Sequence, residues 1–265
     1  MRLGCCVGPD QITAAADAGF DFVELPTAAV LPEKPESEFR PLRDALSAAP
    51  IKPEVWSSFL PPELKVTGAS VDWPRLARYA NTALRRIAEV GGAVVTFGCP
   101  AARQVPEGFT RNDALGQVTD LLRVCGAAAR ANGLLVAVEP LSATRCNLLN
   151  SVPEAVTLAR RLNMPEVGIA PSLHDMITDG HSPFDLVDAS EWIAHVHVYT
   201  QDLIPPSSED RPLHDLAEAL DVADYDGRIS AQPDESLTQQ DLGGSFAPAH
   251  LKLAYDSLRH CFKEP

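Results

Sequence analysis

Short apolar runs alternate with longer amphipathic stretches along the whole chain. Several of the runs are almost entirely apolar, as expected for strands that are buried on both faces. The eight predicted strands are Arg2–Cys6, Phe20–Leu25, Ile51–Ser57, Ala93–Gly98, Leu134–Glu139, Val167–Ser172, Ile193–Tyr199 and Arg228–Gln232. The eight predicted helices are Pro9–Ala18, Glu38–Ala48, Trp73–Val90, Arg111–Ala131, Val152–Leu162, Pro183–Ala189, Pro212–Leu220 and Ala247–Phe262.

A strand followed by a helix, repeated eight times in 265 residues, predicts an α/β protein with the architecture of a (β/α)8 TIM barrel. A doubly wound open sheet is the alternative for a chain of this length. The count of eight units and the lack of a glycine-rich fingerprint after the first strand favour the barrel. We expect one domain that spans residues 1–265.

The charge of the chain restricts its partners. The formal net charge is −14 and the sequence pI is near 4.8, which argues against binding to nucleic acid or to an anionic membrane surface. The N-terminal residues do not resemble a secretory signal, and the six cysteines form no CxxC pair. We therefore expect a cytoplasmic protein with reduced thiols. The sequence does not specify an oligomeric state.

Polar side chains at the ends of apolar strands are the first candidates for chemistry. Glu139 follows five mostly apolar residues, and a charged group inside a barrel is costly unless it has a partner. A functional role for Glu139 is therefore favoured over a structural one. His195 and His197 alternate along one strand, so both point to the same side. We expect one of them in the site, and prefer His197 because it is nearer the strand end.

Other polar or aromatic residues near strand ends complete the predicted mouth of the barrel. Each has a structural alternative: a buried amide could simply bond a neighbour, a glutamate could form a salt bridge, and a loop arginine could be solvated. As substrate-binding residues we predict Glu24, Trp56, Arg103, Arg145, His174, Asp175 and Gln232.

Five segments carry a family resemblance: FGCPAARQVPEGF, GLLVAVEPLSATRCNLLNS, VGIAPSLHDM, IAHVHVY and YDGRISAQP. In this order and spacing the chain resembles the xylose-isomerase-like TIM-barrel superfamily of sugar phosphate isomerases and epimerases. The resemblance implies a divalent metal (Mn²⁺, Mg²⁺, Co²⁺ or Zn²⁺) held by Glu, Asp, His and Glu at the ends of strands five to eight. It also implies that two carboxylates move a proton of a sugar.

Only part of that ligand set is present in this chain. Glu139 matches the strand-five Glu and His197 matches the strand-seven His, whereas the strand-eight Glu falls on Gln232. The strand-six Asp falls on Ser172. A register shifted by one residue places Pro171 there instead. Glu139, His197 and Gln232 therefore remain as a weak metal set, which should bind a divalent ion much less tightly than three carboxylates would.

The remaining family positions are also substituted. The second catalytic carboxylate falls on Arg145, which cannot act as a base at neutral pH, and the substrate arginine falls on Leu203. The family's strand-six His falls on Asp175 in the first register, where it could supply a second charge, and on His174 in the shifted one. An arginine at position 145 could bind an acid group of a different ligand.

Three functional hypotheses follow. The first is a sugar or sugar-acid isomerase, epimerase or lyase with a remodelled site, in which Glu139 and His197 are the catalytic residues and the ligand is carbohydrate-like. The second is a barrel that has lost catalysis and acts as a small-molecule-binding or partner protein. The third, an endonuclease acting on abasic DNA, is disfavoured by the net charge of −14 and by the scattered histidines.

Overall fold

The computed structural model describes residues 1–199, 211–233 and 248–262. Within them the chain forms eight β-strands. The strands are β1 (Arg2–Cys6), β2 (Phe22–Pro26), β3 (Pro53–Ser57), β4 (Val94–Phe97), β5 (Leu135–Val138), β6 (Val167–Ile169), β7 (Val196–Tyr199) and β8 (Arg228–Gln232). Each overlaps a predicted strand, and β6 is the shortest at three residues.

All strand pairs are parallel, and the sheet runs in the order β6-β5-β4-β3-β2-β1-β8-β7. The two edge strands of this order meet through isolated parallel bridges, which join Ile169 to Ile193 and Ser172 to His197. The sheet therefore curls into a ring whose seam lies between β6 and β7. This arrangement confirms the predicted (β/α)8 barrel.

Nine α-helices lie in the described residues, and the predicted strand-helix alternation is observed. They are α1 (Ile12–Ala18), α2 (Glu36–Ser47), α3 (Trp73–Glu89), α4 (Pro100–Arg103), α5 (Arg111–Asn132), α6 (Val152–Leu162), α7 (Leu173–Thr178), α8 (Arg211–Val222) and α9 (Pro248–Phe262). Three 3₁₀ helices, Pro9–Gln11, Thr27–Val30 and Pro183–Trp192, accompany them. None of the helices in these described segments is long and apolar enough to cross a membrane.

The helices differ from the prediction at Pro183–Ala189 and at the short helices α4 and α7. The α-helix predicted at Pro183–Ala189 is a 3₁₀ helix, and its buried residues Pro183, Leu186 and Ala189 recur every three positions, which is the 3₁₀ period. The short helix α7 was not predicted. It begins where the Ser172 hydroxyl accepts a hydrogen bond from the Asp175 N–H group, as an N-cap residue does.

The lower part of the barrel interior is apolar. Phe22, Val55, Val94, Ala137 and Ala170 form a cluster of their own, separate from the larger core between strands and helices. Because side chains alternate along a strand, the residues two positions later also face the interior, one layer nearer the carboxyl ends. That layer carries the polar residues of the site.

Candidate functional site at the mouth of the barrel

The interior layer above the apolar cluster is polar. Glu24 follows Phe22 by two positions, Glu139 follows Ala137, and Ser172 follows Ala170. A cavity of about 580 Å³ opens over this layer, large enough for a small-molecule ligand. Its polar wall contains Cys6, Glu24, Glu139, Arg145, Tyr199 and Gln232.

A hydrogen-bonded chain crosses the barrel beneath the cavity. The Nδ1 atom of His197 lies 3.0 Å from Oε1 of Glu139. Its Nε2 atom lies 3.1 and 3.2 Å from the two carboxylate oxygens of Glu24. His195 approaches the same Glu24 carboxylate, with Nε2 at 3.2 Å from Oε2. Glu24, His195 and His197 are fully buried, whereas Glu139 is 7% exposed. Glu139 is thus the member of this hydrogen-bonded chain that is most exposed to the cavity.

Burial and the charges of neighbouring side chains set the protonation of the four residues in this hydrogen-bonded chain. Burial alone would lower the pKa of His197, but the negative charges of Glu24 and Glu139 and their hydrogen bonds raise it to about 10. Burial works against ionised Glu24 and Glu139, yet the His197 charge holds both carboxyl pKa values below their usual range. Burial lowers the pKa of His195. These directions correspond, at neutral pH, to ionised carboxylates on both glutamates, an imidazolium on His197 and a neutral imidazole on His195.

Gly98 allows Glu139 to reach its position. It follows β4, and a Cβ atom built there would clash with the Oε2 atom of Glu139. Its backbone φ is not in the left-handed region, so the requirement for glycine comes from the close approach of the Glu139 side chain rather than from the backbone conformation.

Arg145 brings a positive charge to the same cavity. Its Nη1 atom donates to Oδ2 of Asp175 at 2.8 Å and to the Tyr199 hydroxyl at 3.0 Å. The other carboxylate oxygen of Asp175 accepts the Ser142 N–H group at 2.9 Å. Burial raises the pKa of Asp175, and Arg145 offsets part of that effect. In this structure Asp175 is thus bonded to Arg145 and to the backbone rather than to the residues of the predicted metal set.

The rest of the cavity lining is mainly apolar, apart from Ser57, Ser58 and Glu63. It comes from the segments that follow β2, β3 and β4. It contains Pro26, Ala28, Leu60, Pro61, Pro62, Tyr79, Pro100, Ala101 and Ala102. The cavity therefore combines charged and hydrogen-bonding side chains with a larger apolar surface, as small-molecule pockets commonly do.

Two predicted substrate-binding residues lie outside the cavity lining. Val55 faces the barrel interior, so Trp56 points outward, where its indole N–H donates to the Pro53 carbonyl at 2.9 Å. Arg103 is fully buried. Its guanidinium donates to the carbonyl oxygens of Phe97 at 3.1 Å and Glu139 at 2.8 Å. Arg103 therefore supports the backbone at the ends of β4 and β5.

The other predicted residues lie at or beside the cavity. Glu24, Glu139, Arg145 and Gln232 line it, whereas His174 lies behind Tyr199, with the ring centroids 5.2 Å apart. Gln232 shares the cavity lining with Cys6.

Two residues of the polar cavity wall were not predicted from the sequence, and one position that the family would use lies outside the described residues. The sequence pattern did not single out Cys6 or Tyr199, although Tyr199 continues the alternation of His195 and His197 along β7. Position 203, where the family's substrate arginine would fall, lies outside the described residues.

The residues that the family would use for a metal fit it poorly. Ser172 is buried and caps α7, Gln232 is a neutral amide, and both ring nitrogens of His197 face carboxylates. A second set, formed by Glu24, His195 and His197, brings three potential ligand atoms within 4.8 Å of one another. One carboxylate and two imidazoles match metal ligands in type. However, Nδ1 of His195 has no hydrogen-bond partner among the described residues, whereas a metal-bound histidine normally donates its other N–H group.

Fold and site together define a (β/α)8 barrel with a pocket of ionisable side chains at its carboxyl end. The chain belongs to the family described as the xylose isomerase-like TIM barrel, whose model matches residues 12–247. No curated protein matches the chain by sequence.

Solved structures share the fold at low identity. A D-psicose 3-epimerase determined with D-fructose is 15% identical over 100% of both chains, with a TM-score of 0.82. A 3-keto-D-glucoside 4-epimerase from E. coli is 18% identical over 98% of both chains, with a TM-score of 0.75. The IOLI protein with a bound zinc atom is 14% identical over 100% of both chains, with a TM-score of 0.71.

Proposed function

We propose that this protein is a sugar or sugar-acid isomerase with a remodelled site at the mouth of the barrel. The observation that carries the proposal is the pairing of a carboxylate and a guanidinium in one cavity. Glu139 and Arg145 both line it, and the Arg145 charge contributes to the lowered pKa of Glu139. The sugar epimerases that share the fold support the substrate class.

Glu139 and Arg145 suit the removal of a proton next to a carbonyl group. The ionised Glu139 carboxylate accepts the proton from carbon. The negative charge then develops on the former carbonyl oxygen, and the Arg145 guanidinium and Tyr199 hydroxyl can stabilise it. Return of the proton from Glu139 to the neighbouring carbon, with transfer of the hydroxyl proton between the two oxygens, completes the isomerisation.

A single base favours isomerisation over inversion at one carbon. Inversion requires a proton to be removed from one face of the substrate and returned to the other, which two-base enzymes achieve with a second carboxylate. Here Arg145 stands where that carboxylate would be, and an arginine stays protonated at neutral pH. Proton return from Glu139 to the same face is therefore the step that this site supports.

The test is turnover of a panel of aldoses, ketoses and keto sugar acids in D₂O, followed by NMR. The proton held on Glu139 can exchange with D₂O before it returns, so we expect deuterium to enter part of the product at the carbon next to the carbonyl. Glu139→Gln should reduce the rate about 100-fold or more, whereas Glu107→Gln, at an exposed loop position, should match the unaltered protein. An exchange rate that is equal in Glu139→Gln and the unaltered protein would remove Glu139 from the mechanism.

A non-catalytic, ligand-binding barrel is the second candidate. It is favoured because three positions at which the family has carboxylates carry other residues in this chain, namely Ser172, Gln232 and Arg145. In that case the same panel should yield ligands that raise the melting temperature without any deuterium incorporation. Binding would then depend on Arg145 and Gln232, which line the cavity, and Arg145→Gln should abolish the thermal shift.

A further inference from the structure

We propose that the cavity contains a second subsite, formed around the Tyr79 hydroxyl, for the end of the ligand that does not react. The subsite suits a hydrocarbon surface that carries a neutral hydrogen-bonding oxygen. The proposal names the kind of substrate and so rests on the proposed function, but binding at Tyr79 can be measured without turnover.

Tyr79 brings a polar atom to the cavity from outside the polar wall. It is the residue that α3 contributes to the described cavity lining, and it is 4% exposed. Its hydroxyl forms no hydrogen bond within the described residues, yet the oxygen remains open to a water-sized molecule. Because buried tyrosine hydroxyls usually have a partner, we expect a ligand in the cavity to supply one.

The ring of Tyr79 is held by aromatic packing. It meets Phe59 edge to face, with ring centroids 6.0 Å apart and an interplanar angle of 81°. Phe59 packs in turn against Phe97 at 6.2 Å, and both phenylalanines are fully buried. This geometry is favourable for aromatic pairs. The Tyr79 hydroxyl therefore has a fixed direction before a ligand arrives, as a specificity-determining group requires.

The lining beside Tyr79 is mainly hydrocarbon. Cys99 has its Sγ atom occupied, because it accepts the Leu60 N–H group at 3.2 Å. Glu63 is exposed, so water can serve its carboxylate. A sugar hydroxyl placed against this surface would lose water without gaining a partner, which weakens binding about fivefold or more. The apolar residues from the segments after β3 and β4 are Leu60, Pro61, Pro62, Pro100, Ala101 and Ala102.

The charges around Tyr79 select the type of oxygen that it binds. Burial raises the pKa of Tyr79, and neighbouring acidic groups, among them Glu33 and Glu63, raise it further. The hydroxyl therefore keeps its proton and can donate it. The same negative charges disfavour a carboxylate or phosphate at this position. A hydroxyl, ether or carbonyl oxygen of the ligand is the partner that fits.

The experiment uses ¹⁹F NMR with two matched probes. The chain has four tyrosines, so incorporation of 3-fluorotyrosine gives one signal for each, and the Tyr79 signal is the one that is absent in Tyr79→Phe. The probes are cyclohexanol and myo-inositol, which share a carbon ring but carry one hydroxyl group or a hydroxyl group on every carbon. We expect cyclohexanol to shift the Tyr79 signal saturably and myo-inositol to bind at least about tenfold more weakly. Tyr225, whose hydroxyl bonds the Arg228 backbone, should not shift.

Variants test the contribution of the hydroxyl itself. Tyr79→Phe keeps the ring and should weaken cyclohexanol binding, measured by calorimetry, about two- to tenfold. Tyr255→Phe in α9 is the matched control and should bind as the unaltered protein does. Equal affinity in Tyr79→Phe, tighter binding of myo-inositol, or no saturable shift below the solubility limit of cyclohexanol would each overturn the proposal.

The proposed function and this subsite can fail separately. Cyclohexanol lacks a carbonyl group, so its affinity should be unchanged in Glu139→Gln. Saturable cyclohexanol binding in a protein that turns over no sugar would remove the isomerase activity and leave the subsite. Loss of cyclohexanol binding in Glu139→Gln would place the probe at the polar wall and overturn the subsite, whatever the result for turnover.

Discussion

His197 sets the charge of the site, because its two ring nitrogens each face a carboxylate. Its pKa is raised from 6.5 to about 10 in the folded protein. Between about pH 7.5 and pH 8.5, about one unit or more above the ordinary histidine pKa, the unfolded chain has lost nearly all of this proton while the folded protein retains it. The unfolded state then binds fewer protons, so we expect the free energy of unfolding to fall as pH rises, by about 1.4 kcal/mol per pH unit.

Urea unfolding at several pH values within this range measures that slope. The range ends where buried thiols would begin to ionise on unfolding. The range begins above the pH at which His195 is protonated in the unfolded chain but neutral in the folded protein, because burial lowers the pKa of His195 in the folded state. His197→Gln should remove the slope, and Glu139→Gln should reduce it. A flat profile in the unaltered protein would mean that folded His197 is neutral.

Gly98 gives a second prediction at the residue scale. In Gly98→Ala the new Cβ would clash with Glu139, so the carboxylate must move away from His197. We expect ligand binding or turnover to fall about tenfold or more, since a small displacement of a reacting group is enough for such a loss. The matched control is Gly116→Ala in α5, where nothing obstructs a Cβ, and which should stabilise the protein by about 0.5–1 kcal/mol.

Both measurements are needed to interpret Gly98→Ala. Enzyme or binding assays report the displacement of Glu139, and thermal unfolding reports the general cost of the added methyl group. If Gly98→Ala retains full function while its melting temperature falls, Glu139 does not need its observed position. That outcome would weaken the assignment of Glu139 as the base.

At the scale of elements, α7 holds the loop that carries Arg145. The Asp179 carboxylate at the end of α7 accepts hydrogen bonds from the Ser142 hydroxyl at 2.7 Å and from the Ala143 N–H group at 2.8 Å. We expect Asp179→Ala to cost about 1–2 kcal/mol in the free energy of unfolding. It should also weaken ligand binding, with KM rising more than kcat falls, because Arg145 loses its support.

Hydrogen exchange of residues 141–147 tests this coupling directly. In Asp179→Ala these amides should exchange faster than in the unaltered protein, while amides in β1 and β2 should not change. Asp188→Ala, at an exposed position in the 3₁₀ helix that follows α7, serves as the control. Unchanged exchange in the loop of Asp179→Ala would show that the loop is held by other contacts.

The elements also show what the sequence can and cannot predict. The strands were predictable because each is a short apolar run, whereas α7 was missed because its six residues are too few to show a helical period. Glu139 and His197 stood out as polar residues in apolar strands. The hydrogen bond between His197 and Glu24 could not be predicted, because it joins residues 173 positions apart across the barrel and leaves no local pattern in the sequence.

The placements of Trp56 and Arg103 failed for different reasons. Trp56 lies near the carboxyl end of β3, as predicted for a site residue. Its neighbour Val55 faces the barrel interior, however, so alternation along the strand directs Trp56 outward. Arg103 lies in a segment that was predicted as a loop and is partly the helix α4. Its side chain is buried against backbone carbonyls, which depends on packing between the ends of β4 and β5.

At the scale of the molecule, the buried chain joins β2, β5 and β7 across the barrel and lies beside the seam. Removal of one member leaves an unpaired buried charge, which typically costs about 3–5 kcal/mol. We therefore expect Glu24→Met alone to destabilise the protein by about that amount. The triple variant Glu24→Met, His195→Leu and His197→Leu replaces all three fully buried members and leaves Glu139 facing the cavity, where water can reach it.

The triple variant should be more stable than Glu24→Met and within about 2 kcal/mol of the unaltered protein, since apolar side chains can replace a buried ion pair at little cost. Ligand binding should be lost in both variants. Urea unfolding at one pH gives the comparison. A triple variant that does not fold, or that loses as much as the single substitutions added together, would show that the chain is a net source of stability. The expected result would mean that the barrel holds these charges at some cost to its stability, because the pocket requires them.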